Sequence, residues 1–355
     1  MQTLSRTRTR KRRQRRNRPW RLLKRLLFMG TMTAATFMLL GATFLFATDT
    51  GEELREWAAG TLLTTQHDYW APYTFLPEEK LEALKQQIRN PIVINSADET
   101  TNTPKDEPVD EPSAVAIPEV KKELIEIEEI DEKRSNYYFK GKIMYISDPK
   151  RVQLLVSNRK DRGELLDEFV KKHNALGIVN ASGFSDPDGY GNGVKAFGLL
   201  IKDGKILQNY NAKGGETALG ITFDGKLITG NYTAQQLVDM GVKDAMSFRP
   251  QLIVNGKNLF ADKPAKSWGI QPRTAIGQKE DGTIVFVVID GRQPGHSIGA
   301  SMNDIAELLA ERGVVTAMAM DGGSSSMMLH NNEAITKTSC PYYRGRYLPN
   351  AWAVI

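Results

Sequence analysis

Two apolar runs late in this chain each end in an Asp-Gly pair, and the residues that follow them could do chemistry. Thr283-Ile-Val-Phe-Val-Val-Ile289 leads into Asp290-Gly291-Arg292, and Val314-Val-Thr-Ala-Met-Ala-Met320 leads into Asp321-Gly322-Gly323-Ser324-Ser325-Ser326. A carboxylate can serve as nucleophile, as base for water, or as counter-charge to a developing cation. Arginine forks match phosphate oxygens two at a time, which lysine cannot do. Arg292 follows the first Asp-Gly, Arg273 opens the strand-like Thr274-Ala-Ile-Gly277, and Arg249 lies in Ser247-Phe-Arg-Pro250. Gly322 and Gly323 allow backbone amides close to a ligand, while Ser324 and Ser325 add small hydroxyl donors. His296, in the loop after Asp290, could shuttle a proton. The set suits an anionic, hydroxyl-rich ligand.

The elements between these residues must bring them together. Ser301 to Arg312 carries Met302, Ile305, Leu308 and Leu309 at helical spacing, with Ser301 and Asp304 placed as a capping box. Strand, helix, strand at these lengths is a βαβ unit, whose parallel strands lie side by side or nearly so. Their C-terminal ends then share one sheet edge, where open α/β sheets bind ligands. Asp203-Gly204, Asp224-Gly225 and Asp281-Gly282 sit instead between strand-like runs and read as hairpin turns.

The folded region containing these motifs is expected to run over residues 123–355. Strands are expected at 136–146, 152–157, 177–180 and 252–254, hairpins at 197–210 and 217–230, and short helices at 165–173 and 235–240. Many strands and few helices give an α+β domain with a single mixed sheet. Residues 49–95 hold two helical patterns and read as a stalk. Residues 96–122 collect Pro, Asp, Glu, Thr and Ser and read as a disordered linker, so that a chain starting near Glu123 should fold alone.

Twelve Lys and Arg residues, with no acid, fill residues 1–25. Residues 26–48 then carry no charge and are long enough to cross a hydrocarbon core of about 30 Å as one helix. By the positive-inside rule the basic arm stays in the cytoplasm and the remainder is exported. A cleaved signal peptide is the competing reading, but its apolar region should be shorter and end at a small-residue site. The formal charge of +5 divides into +12 before residue 26 and −7 after it. A mildly acidic exported part is not built to hold nucleic acid through bulk charge, so any phosphate must be met by a few placed arginines. The single cysteine, Cys340, permits no internal disulfide.

Several chemistries lack their motifs. There is no phosphate-binding Gly-x4-Gly-Lys-Ser/Thr, no Gly-x-Ser-x-Gly elbow and no His or Cys spacing for zinc, and no cofactor or metal is implied. Asp186-Pro-Asp188-Gly-Tyr-Gly-Asn192 resembles a calcium loop but has Phe197 where a terminal Glu would be needed.

Asn180-Ala-Ser-Gly-Phe184, Gly198-Leu-Leu-Ile-Lys-Asp-Gly204, Arg273-Thr-Ala-Ile-Gly277, Asp290-Gly-Arg292 and Asp321-Gly-Gly-Ser-Ser-Ser326 occur in that order. Together they resemble the phosphodiester glycosidase family over about residues 177–355. The family reads closer to Asn-Gly-Gly-Phe-Phe at the first motif and Asp-Gly-Gly-Gly-Ser at the last, so Ser324 replaces a glycine. The resemblance implies cleavage of a sugar from a sugar-1-phosphodiester in a surface glycan or exopolysaccharide. Asp290 and Asp321 are then the catalytic carboxylates, with Asn180 and the arginines among the substrate contacts. The departing phosphomonoester, with a second pKa near 6, needs little help from a general acid but does need anion stabilisation. Two rivals stand beside this reading: a binding or assembly protein for phosphate-linked polymers, and a phosphodiesterase or transferase acting at phosphorus.

Overall fold

The structure, a computed structural model, describes residues 18–65, 67–97, 123–186, 191–262, 268–342 and 344–355. The basic arm before residue 18, the linker from 98 to 122 and most of the calcium-like loop (187–190) lie outside the described residues. Helix α1 (Arg18–Ala47) contains the apolar stretch Leu22–Ala47, which is long enough to cross a membrane and has none of its most apolar window buried in protein. Thr48 caps α2 (Asp49–Leu63) by accepting a hydrogen bond from the Gly51 amide at 3.1 Å. A Cβ on Gly51 would come within 2.1 Å of the Phe44 carbonyl oxygen, so only glycine fits this elbow. A 3-10 turn (Asp68–Thr74) and α3 (Glu78–Arg89) follow.

The folded region then runs β1 (Ile125–Lys133), β2 (Tyr138–Ile146), β3 (Val152–Val156), α4 (Leu166–His173), β4 (Gly177–Asn180), β5 (Leu200–Lys202) and β6 (Lys205–Gln208). It continues through β7 (Glu216–Thr222), β8 (Leu227–Tyr232), α5 (Ala234–Asp239), β9 (Val242–Ser247), β10 (Gln251–Val254) and β11 (Lys257–Asn258). Last come β12 (Arg273–Lys279), β13 (Ile284–Ile289), α6 (Met302–Glu311), β14 (Val314–Ala319), β15 (Met328–His330), β16 (Glu333–Ala334) and β17 (Asn350–Val354). The class is α+β. The single mixed sheet expected from the sequence resolves into three sheets: β1-β2-β13-β12-β14-β10-β11, β16-β15-β4-β17-β3 and β6-β5-β9-β7-β8. The described pairings are antiparallel, because most connections are hairpins or returns through a neighbouring strand.

The seven-stranded sheet is covered on both faces, which is why β13 reads Ile-Val-Phe-Val-Val-Ile with no polar alternation. Val285, Val287 and Ile289 face α6 and the N-terminal helices, while Ile284, Phe286 and Val288 face the two smaller sheets. Strands β13 and β14 each pair antiparallel with β12 and so point the same way, with β12 between them. Helix α6 forms as its sequence requires: Ser301 Oγ accepts from the Asp304 amide at 3.1 Å, and Asp304 Oδ2 accepts from the Ser301 amide at 2.8 Å.

The stalk expectation fails on packing. Ala59, Ala71, Leu76, Leu81, Leu84 and Ile88 belong to the same buried cluster as Leu252, Met302 and Leu308. The segment is also stitched down by polar contacts. Gln251 brackets the Ile94 backbone, accepting from its amide at 2.9 Å and donating to its carbonyl at 2.7 Å. The polar surface of these helices looked like a free-standing stalk in sequence because their apolar stripes are narrow.

Candidate active site

The ends of β13 and β14 and the start of β12 lie at one edge of the large sheet, as the strand-helix-strand argument required. A cleft of about 1800 Å³ opens there. It takes in Arg249, Arg273, Arg292, Asp321, Gly322, Gly323 and Ser324 of the expected set, but not Asp290, His296, Asn180 or Ser325. Strand alternation separates the two aspartates. Asp290 continues the side of Phe286 and Val288, while Asp321 continues the side of Ala317 and Ala319.

Asp321 is partly open to the cleft yet set deep among protein atoms. Loss of water around the carboxylate raises its pKa to about 6, against the opposing pull of the Ser325 hydroxyl, the Arg346 charge, the Gly322 amide and the Arg292 charge. Asn180 holds the loop beneath it. Its Nδ2 donates to the Asp321 carbonyl at 2.6 Å, and its Oδ1 accepts from Thr274 Oγ1 at 2.8 Å. Asn180 therefore positions the carboxylate and does not line the cleft. One amide of the glycine loop turns inward, since Gly323 N–H donates to the Pro272 carbonyl at 2.9 Å, while the Gly322 amide serves the Asp321 carboxylate. Glycine is favoured at 323 by its φ of 61°, and a Cβ there would press on Arg292 Nη2 at 3.2 Å.

Asp290 has both oxygens engaged. Oδ2 meets His296 Nε2 at 2.7 Å, and Oδ1 accepts from the Lys337 amide at 2.9 Å. Burial raises its pKa and the His296 contact opposes the rise. The pair ties the loop after β13 to the segment after β16, a latch outside the lining of the cleft.

The arginines divide by role. Arg273 is buried and donates from Nε to the Ala300 carbonyl at 3.1 Å and from Nη2 to the Trp268 and Gly269 carbonyls at 2.6 and 2.8 Å. Burial and the nearby Arg292 charge lower its pKa to about 9, so it stays protonated at neutral pH. Arg292 holds Gln271 Oε1 at 2.9 Å through Nη2, and burial lowers its pKa while Asp321 opposes that. Arg249 is exposed at the rim. Sequence reasoning missed Arg346, which pairs with Asp186 and lies 4.7 Å over the Phe184 ring. It also missed Gln271, Glu216 and the wall formed by Thr61, Thr64 and Thr65 of the N-terminal segment. Gln271 joins that wall to the site, because its Nε2 donates to the Thr61 carbonyl at 3.3 Å and to Thr64 Oγ1 while its Oε1 holds Arg292. Among the described residues no cluster of metal-ligating side chains occurs.

The lining brings six guanidinium groups (Arg89, Arg249, Arg273, Arg292, Arg344 and Arg346) against three carboxylates (Asp186, Glu216 and Asp321). Arg89 and Arg344 are paired with Asp68 and Asp167 beyond the lining and Arg346 with Asp186, so the cationic character that suits an anionic ligand rests on Arg249, Arg273 and Arg292.

Comparison with known proteins identifies the family. The family model for phosphodiester glycosidases matches residues 173–355. The SPbeta prophage-derived uncharacterized protein YomE of Bacillus subtilis (strain 168) is 30% identical over 203 residues, 54% of this chain and 29% of that protein. The chain thus spans less than a third of that relative's length. Among solved structures, the catalytic domain of zebrafish N-acetylglucosamine-1-phosphodiester alpha-N-acetylglucosaminidase, auto-inhibited by its pro-peptide, aligns with a TM-score of 0.55 and 19% identity. The alignment covers 66% of this chain and 84% of that one, and at such identity it speaks for the fold. With the family match spanning more than half of its length, this chain belongs to the phosphodiester glycosidase family.

Proposed function

We propose that the chain is a membrane-anchored, extracytoplasmic glycosidase that hydrolyses a sugar-1-phosphodiester bond in a cell-surface glycan or exopolysaccharide. The observation that carries this reading is Asp321, a carboxylate of raised pKa in a cleft where arginines outnumber acids. Above pH about 6 Asp321 is ionised and can take a proton from water, or itself bond to the anomeric carbon. The bond between that carbon and the phosphate oxygen breaks, and its electron pair leaves on the phosphomonoester. In this reading the anion is received by Arg292, Arg346 and Arg249, which line the cleft. Asp290 and His296 act from behind, holding the loop that carries Arg292.

The test is turnover of a chromogenic sugar-1-phosphodiester in heavy-oxygen water. Label in the released sugar is the expected result. Label in the phosphate would make the chain a phosphodiesterase, and tight binding without turnover would make it a polymer-binding protein.

The placement rests on the charge step across the apolar span. Protease added to intact protoplasts is expected to remove the folded region. Full protection would put that region in the cytoplasm.

A further inference from the structure

Four aromatic side chains between α2 and α3 are left open: Trp70 is 50% exposed and Tyr69, Tyr73 and Phe75 are 61–65% exposed. Tyr69, Trp70 and Tyr73 form a continuous strip, with ring centroids 5.7 Å apart for Tyr69 and Trp70 and 5.3 Å apart for Trp70 and Tyr73, and Phe75 follows at the end of the same turn. The residue between them, Ala71, is fully buried, so the 3-10 turn has an inward side and an aromatic outward side. An open apolar strip of this kind calls for something to cover it.

Its position says what that is. Phe75, at a left-handed φ of 55°, brings the chain back to the end of the apolar span, where its ring centroid is 6.0 Å from that of Phe46. Arg55 fixes the junction: its guanidinium lies 5.0 Å over the Phe46 ring and its Nη1 donates to the Phe75 carbonyl at 2.5 Å. A helix crossing a bilayer ends at the lipid surface, and a turn of this length reaches only about 14 Å from that end, at about 2 Å per residue. Trp and Tyr are the side chains that favour this layer, since each has an apolar body and a polar tip. The charges around the strip are paired, Lys80 with Glu52 and Arg89 with Asp68, so it offers no cationic excess for anionic lipid.

We propose that Tyr69, Trp70, Tyr73 and Phe75 seat in the headgroup layer of the bilayer crossed by the apolar span, docking the exported domain onto the lipid surface. This rests on the membrane-anchor reading and adds a second contact to it. Thr64, Thr65 and His67, which line the cleft, lie just before the strip in the chain, so seating it draws that rim of the cleft toward the lipid.

The full chain, reconstituted in phosphatidylcholine vesicles brominated either near the headgroup or near the acyl-chain end, tests this by tryptophan quenching. The difference between wild type and Trp70→Phe isolates Trp70 from the other tryptophans, and phenylalanine keeps the aromatic packing. Strong quenching of that component by the shallow bromines, and little by the deep ones, is expected. A Trp70 component that neither lipid quenches, in vesicles that carry the protein on flotation, would overturn the docking while leaving the anchor intact. Shielding of Trp70 from acrylamide in that same sample would show that protein covers the strip instead. Protein that fails to float would remove the anchor reading, and the docking with it.

Discussion

Asp321→Asn is expected to lower turnover of a sugar-1-phosphodiester by at least about a hundredfold, the scale for a nucleophilic or acid–base group. Arg292→Lys should also cost rate, because an ammonium cannot hold Gln271 and a phosphate with one planar fork. Asp290→Asn should act differently. It weakens the His296 and Lys337 latch, so its main effect is expected on thermal stability, with a smaller loss of rate. A hundredfold loss at unchanged Tm would restore Asp290 to the chemistry. Asp281, whose carboxylate accepts from the Thr283 amide in a hairpin turn, supplies the control, and Asp281→Asn should leave the rate nearly unchanged. Wild-type turnover in well-folded Asp321→Asn would end the catalytic assignment. The pH profile carries a second check, since the wild-type rate should fall as pH drops through about 6 and Asp321 takes a proton. Stability runs the other way. With its pKa raised from 3.8 to about 6, the folded state binds this proton more tightly than the unfolded state, so stability declines as pH rises through that window. Removing the charge by Asp321→Asn should therefore favour folding more near neutral pH than at about pH 4.

A chain beginning at Glu123 is expected to aggregate or lose its cooperative melt, whereas one beginning at Asp49 should stay soluble and fold. Leu81, Leu84 and Ile88 are each less than a tenth exposed, and burial of each contributes about 1.5–3 kcal/mol. Against a net stability of about 5–15 kcal/mol for a domain, their loss together with that of Ala59, Ala71 and Leu76 is not affordable. The cut also removes Thr61 and Thr64, which steady Gln271 and through it Arg292. Soluble yield and a circular-dichroism melt decide the matter. Equal stability of the two forms would return residues 49–95 to the part of a stalk.

Local signals in the sequence were read correctly where one element explains itself. The strand Gly177–Asn180, the capped helix Met302–Glu311 and all three Asp-Gly hairpins stand where periodicity and turn chemistry put them. The hairpin β15–β16 went unread although its Asn331-Asn332 turn has φ of 51° and 65°, the left-handed pair that such turns demand. The site was legible to the level of the sheet edge and no further. Strand direction put Asp290 and Asp321 at one edge, but which face each side chain takes depends on what covers the sheet. Arg346 and the threonine wall reach the cleft only through contacts remote in sequence, which no local pattern encodes.

Strand β17 lies between β3 and β4, with Trp352 opposite Leu154 on one side and Val179 on the other. Strands β3 and β4 therefore cannot share a sheet until residues 350–354 have been made and inserted. Strand β2 likewise waits for β13 before it gains its inner neighbour. Such distant pairings make folding slow and leave strand edges open for longer. For a chain that leaves the cytoplasm through a narrow channel, the delay is useful. In the exported topology proposed above, the polypeptide would stay threadable during export, and the sheet that holds β17 would close only once that strand has crossed.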